Sequence, residues 1–112
     1  MVQKLWDILE YHKPDIIVVE KLNVSRNLQA TRLLSKIMGS IYCYYVLHDN
    51  VFYFEIQASE WRAKLGMQST GRKRDEYKEL SINYIKDKYD IDVSDDVSDA
   101  ICAGLGYIKM FP

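Results

Sequence analysis

Val2, Leu5, Trp6 and Leu9 recur at the spacing of one helical face, which predicts an amphipathic helix over residues 2–12. Pro14 closes it, because the residue before a proline is pushed out of the helical region. The pattern then changes. Ile16, Ile17, Val18 and Val19 run together and stop at Glu20. Such a run predicts a strand over 15–20 with both faces covered, the habit of a parallel sheet. After a polar loop over 21–26, a long helix is expected from Asn27 to about Leu47. Leu28, Leu34, Met38 and Tyr42 mark one stripe of it, and Leu33, Ile37, Ile41 and Tyr44 another; only Arg32 and Lys36 carry charge. A helix apolar on more than one side is expected to be buried on more than one side. One face would pack on the sheet and the other on a further partner.

"VFYFEI", residues 51–56, alternates and is aromatic, which predicts a second strand. Strand, crossover helix and strand make a βαβ unit, right-handed and parallel. Further helices are expected over 59–65, over 73–89 and over 96–110. Tyr77, Leu80, Tyr84 and Ile85 share one side of the second. Val97, Ile101, Gly104 or Leu105, and Ile108 would face inward on the third. The fold class is therefore α/β, with two parallel strands and flanking helices in a single domain over 1–112. Two parallel strands rarely make a stable centre by themselves, so the pattern asks for more strands than it contains.

Composition narrows the class. The chain has 112 residues, a formal net charge of −1, 48% hydrophobic and 28% charged residues, which is the profile of a folded chain and not of a disordered one. No apolar run reaches the roughly 18 residues of a membrane span. The first residues are amphipathic and carry acids, unlike a targeting leader, so a cytoplasmic location without membrane contact is expected. Cys43 and Cys102 lie far apart without metal-ligand spacing and read as reduced core thiols.

The acids carry the candidate chemistry. Glu20 ends a strand, and ligands of open α/β sheets bind beyond the carboxyl ends of strands. Asp96 and Asp99 are three apart at the start of the last helix and share a face. Capping by Asp95 or Asp96, with Asp99 as an acid favoured by the helix dipole, also accounts for them. Asp90, Asp92 and Ser94 alternate like a calcium loop, but its glycine and closing glutamate are missing. Glu20, Asp96 and Asp99 brought to one point would suit hard divalent cations. Two such ions about 4 Å apart can drive phosphodiester hydrolysis. Arg62, Lys64, Arg72, Lys73, Arg74 and Lys78 gather around one loop and helix start. Cations there oppose the helix dipole; phosphate contacts would account for them, as would a solvated charged loop.

Taken in order, these segments resemble the RuvC-like Holliday junction resolvases of phages and Gram-positive bacteria, within the ribonuclease H-like nucleases. "KPDIIVVE" is similar to the family strand that ends in a catalytic glutamate, here Glu20. "SRNLQATRLLSKIMGSI" resembles the loop and helix that follow. "SEWRAKLGM" and "KRDEYK" resemble the DNA-touching segment, and "DDVSDAICAG" the D-x-x-D-A helix, at Asp96 and Asp99. The resemblance implies a partial ribonuclease H-like fold with the first three strands absent. It implies metal ligation by Glu20, Asp96 and Asp99, with Mg2+ or Mn2+ as cofactor and Lys73 near the scissile phosphate. Lys21, Arg26, Asn27, Arg62, Arg74 and Lys78 would position branched DNA, a four-way junction.

The family's first catalytic aspartate lies on a strand that precedes the first helix, so three of four acids are matched and weak activity at best is expected. "KLNVSR" lacks the aromatic that some relatives insert at the junction. A homodimer is expected, through helix 27–47 or through the open edge of strand 15–20, which would otherwise be an aggregation hazard. A non-catalytic DNA-binding module and a ribonuclease H-like enzyme acting on RNA are the alternatives.

Overall fold

The end of the first helix has a local cause. In the computed structural model, which describes residues 2–21, 27–67 and 74–112, α1 spans Val2–His12. Lys13 adopts a left-handed φ of 46° and its N–H closes on the Leu9 carbonyl at 2.8 Å, after which Pro14 bars continuation. The remaining elements are β1 (Ile16–Glu20), α2 (Leu28–Leu47), β2 (Phe52–Ile56), α3 (Ala58–Lys64), α4 (Arg74–Tyr89) and α5 (Asp95–Met110). Asn27 caps α2, its Oδ1 accepting from the Ala30 N–H. β1 and β2 pair as a two-stranded parallel sheet.

The chain divides into two compact units, and each strand passes from the first to the second. The first unit holds α1, α2 and the opening halves of both strands. There the Phe52 N–H donates to the Asp15 carbonyl at 2.8 Å. α1 packs on α2. The Trp6 indole N–H donates to Ser40 Oγ at 2.8 Å, and the Trp6 ring meets Tyr44 edge-on at 5.5 Å. An aromatic pair of this geometry contributes about 1 kcal/mol beyond its buried area.

The second unit holds the ends of both strands with α3, α4 and α5. α5 packs on both α3 and α4, around Trp61 and Ile85, which are fully buried. Gly66, at φ 78°, ends α3 in a Schellman turn, with the Gly66 N–H on the Ala63 carbonyl and the Met67 N–H on the Arg62 carbonyl.

Four expectations are corrected. β1 is not covered on both faces: Ile17 is buried, but Ile16 is exposed. Along α2 only Tyr44 is buried, while Leu28, Leu33, Leu34 and Tyr42 of the two apolar stripes are exposed. Cys43 is exposed and only Cys102 is a core thiol. α5 turns inward on Ser98, Cys102, Ala103 and Gly106, whereas Val97 is 47% and Ile108 61% exposed. The reason for the last is distance. A Cβ on Gly106 would stand 2.5 Å from the Trp61 Cβ and 2.9 Å from its Cα, so α3 and α5 meet backbone to backbone. Only small side chains fit between helices that close.

Candidate functional site: an acid-lined cleft with an aromatic-clamped arginine

The site lies within the second unit. The Lys21 N–H donates to the Ile56 carbonyl at 2.8 Å, the last rung that holds the end of β1. Glu20 therefore sits on a strand held by its ladder up to that point. Its carboxyl is raised above the ordinary carboxylate range. Desolvation by the surrounding protein is the largest cause and the charge of Asp99 the next; the Arg62 guanidinium pulls the other way. Solvent still reaches the side chain.

Asp99 stands one turn into α5. Ser94, not Asp95 or Asp96, caps this helix: its Oγ accepts from the Val97 N–H at 3.3 Å. That leaves the first-turn carboxylates free of the cap. Asp95, Asp96 and Asp99 line a cavity of about 180 Å3 together with Arg62, Tyr77 and Lys78. Asp96 is exposed and Asp99 half-buried. Asp99 Oδ1 is buried and has no hydrogen-bond partner among the described residues. An orphaned carboxylate oxygen this deep is costly unless something satisfies it.

The basic residues divide. Lys78 reaches Asp95 at 3.5 Å, a half-exposed pair that adds well under about 1 kcal/mol. Arg62 has no carboxylate within 4 Å among the described residues. Its guanidinium instead lies 4.2 Å from the Tyr77 ring centre and 5.0 Å from that of Trp61, and its Nε is buried without a hydrogen-bond partner among the described residues. Lys21 is exposed at the strand end. Asn27 is committed to capping α2. Arg26 and Lys73 lie outside the described residues, as does the side chain of Arg74.

The sequence-predicted acids are thus brought into one neighbourhood in part. Asp96 and Asp99 share the cavity, and Glu20 is coupled to Asp99 by charge without lining it. Among the described residues, no group of three or more His, Cys, Asp or Glu side chains stands together as a metal site. The fitting pair is Glu20 and Asp99, whose mutual repulsion and orphaned oxygen a divalent cation would relieve. Sequence reasoning missed Tyr77 and Asp95 as members of the site. Tyr77 carried no signal, because its role depends on Arg62, fifteen residues away in the chain.

Comparison with protein-family models, with curated proteins and with solved structures finds no match.

Proposed function

We propose that this chain carries part of the catalytic face of a RuvC-like, metal-dependent endonuclease that resolves four-way DNA junctions by phosphodiester hydrolysis. The observation that supports this reading best is the coupling of Glu20, at the carboxyl end of a parallel strand, to the half-buried Asp99 with its unpartnered oxygen. A magnesium or manganese ion held by these carboxylates would supply Lewis-acid activation of water and charge neutralisation at the phosphodiester. Glu20 and Asp99 would be the holding carboxylates, and Asp96 shares the cavity wall with Asp99. Arg62 and Lys78 bring positive charge next to the acids, where phosphate oxygens would approach. By the resemblance alone, Lys73, Lys21, Arg26, Asn27 and Arg74 would also contact the DNA; Arg26, Lys73 and the side chain of Arg74 lie outside the described residues. The fourth acid called for by the resemblance is an aspartate on a strand preceding α1. On this reading, the three acids present would support weak cleavage at best.

A second copy would bind through the exposed apolar residues of α2, Leu28, Leu33 and Leu34 among them, or along the open edge of β1. A well-folded monomer in sedimentation at micromolar concentration excludes both arrangements.

The deciding experiment is cleavage of a labelled four-way junction with magnesium or manganese. The chain as given is compared with a version carrying an added N-terminal strand that bears an aspartate. Cleavage should rise sharply in the longer form and vanish in Glu20→Gln and Asp99→Asn. Salt-dependent junction binding without cleavage in either form, unaffected by Glu20→Gln, would identify a non-catalytic DNA-binding module instead. Preference for RNA–DNA hybrids over junctions would move the activity to RNA.

A further inference from the structure

Arg62 is an unusual cation for an acid-lined cleft. Asp95, Asp96 and Asp99 line the same cavity, yet the guanidinium pairs with none of them within 4 Å among the described residues. Aromatic faces hold it instead: Tyr77 at 4.2 Å and Trp61 at 5.0 Å. Trp61 is fully buried and packs against Gly106, so it is committed to the core. Tyr77 is half-buried on α4 and lines the cavity itself. A planar guanidinium lying over a ring keeps its edge donors available, whereas a bidentate carboxylate partner would consume them.

We infer that Tyr77 is a positioning residue: its ring holds the Arg62 guanidinium in the cleft with donors turned to an incoming phosphodiester oxygen, and keeps it from collapsing onto the carboxylates. The phosphate part of this inference rests on the nuclease reading above; the positioning part does not. Tyr77 touches no reacting atom. It acts through Arg62, by fixing where a flexible side chain places its charge, so that less conformational freedom is lost when phosphate binds.

The test uses the full chain in two measurements. The first is binding of a four-way junction by Tyr77→Leu, Tyr77→Phe, Arg62→Gln and the Tyr77→Leu/Arg62→Gln double variant. Tyr77→Leu and Arg62→Gln should each weaken binding about tenfold, the scale of a partly desolvated cation–π contact. Tyr77→Phe should restore it, and the double variant should be no weaker than Arg62→Gln alone. Wild-type affinity in Tyr77→Leu beside weak binding in Arg62→Gln overturns the inference. So does a Tyr77→Phe variant as weak as Tyr77→Leu, which would assign the effect to the phenol hydroxyl.

The second measurement is the NMR shift of the Arg62 side-chain protons without DNA. In the wild-type chain they should be moved upfield by the ring beneath them, and in Tyr77→Leu they should return toward random-coil values. Unshifted Arg62 protons in the folded wild-type protein overturn the positioning role even if Tyr77→Leu does not fold. If the wild-type chain binds no junction while the upfield shift is present, the nuclease reading and the phosphate role fail and the ring clamp stands.

Discussion

His48 Nε2 lies 2.8 Å from a Glu10 carboxylate oxygen while its Nδ1 lies 2.7 Å from the Tyr44 carbonyl. Both partners are acceptors, so the ring fills both contacts as a donor only in its doubly protonated form. The imidazole also stacks on Tyr44 at 3.8 Å. The Tyr44 carbonyl is the main cause that raises the His48 pKa above its ordinary value; Glu10 and Asp49 raise it further, against partial desolvation. His48 and Glu10 line a cavity of about 480 Å3 together with Lys13 and Asp15. A raised folded-state value gives stability that is complete below about pH 6.5, the unfolded value, and is lost as pH rises through the folded one. The first unit should therefore become less stable on going from pH 6 to pH 8. Hydrogen exchange of α1 amides measures this, and His48→Gln should remove the pH step.

Gly106→Ala should destabilise the protein by up to about 2 kcal/mol in urea denaturation. The added methyl would gain about 1 kcal/mol of helix propensity. It would also stand 2.5 Å from the Trp61 Cβ and 2.9 Å from its backbone Cα, and overpacking against backbone costs roughly 1–3 kcal/mol or more. Gly104 has open space in the same helix, so Gly104→Ala should be neutral or stabilising. Equal effects at the two glycines would refute the close α3–α5 approach.

Ser81 and Ser98 are fully buried between α4 and α5 with their oxygens 3.2 Å apart. Ser81 Oγ also reaches the Lys78 carbonyl at 3.1 Å, and Ser98 Oγ the Asp95 carbonyl at 2.9 Å. Three contacts thus share two hydroxyl protons. Each hydroxyl can satisfy itself on its own helix, so the pair is weakly coupled. Ser98→Ala and Ser81→Ala should each cost about 1 kcal/mol or less, with a double-mutant coupling below about 0.5 kcal/mol. A larger coupling from thermal melts would show that one serine gives up its backbone bond to serve the other.

Glu20→Gln should stabilise the metal-free protein while abolishing any cleavage. The Glu20 carboxyl is raised by desolvation and by Asp99, so its charged form is disfavoured in the folded state. The sign follows from linkage: the penalty is present above the folded-state pKa and is relieved as pH falls through it toward the unfolded value. At pH 7 the glutamine variant should melt higher than wild type, and the gap should close in acid. A lower melting temperature for the variant at pH 7 would contradict this electrostatic picture.

The element boundaries were legible in the sequence because their causes are local. Apolar spacing outlined α1. Asn27 marked the start of α2 and a β-branched run delivered Glu20 to a strand end, whereas the cap of α5 fell to Ser94 and not to the expected Asp95 or Asp96. The parallel pairing of β1 and β2 followed from the intervening helix. Asp96 and Asp99 shared a cavity wall as their spacing required.

Tertiary structure alone decided which face of α5 is inside. That depends on how closely two helices approach, set here by Gly106 meeting Trp61 forty-five residues away in the chain. It also decided that Cys43 is exposed, and that Arg62 rests on Tyr77 instead of pairing with the acids around it. Hydropathy records what a residue prefers. It does not record which distant residue will occupy the space beside it, and in this protein that determines both the core stripe of α5 and the placement of the cleft's arginine.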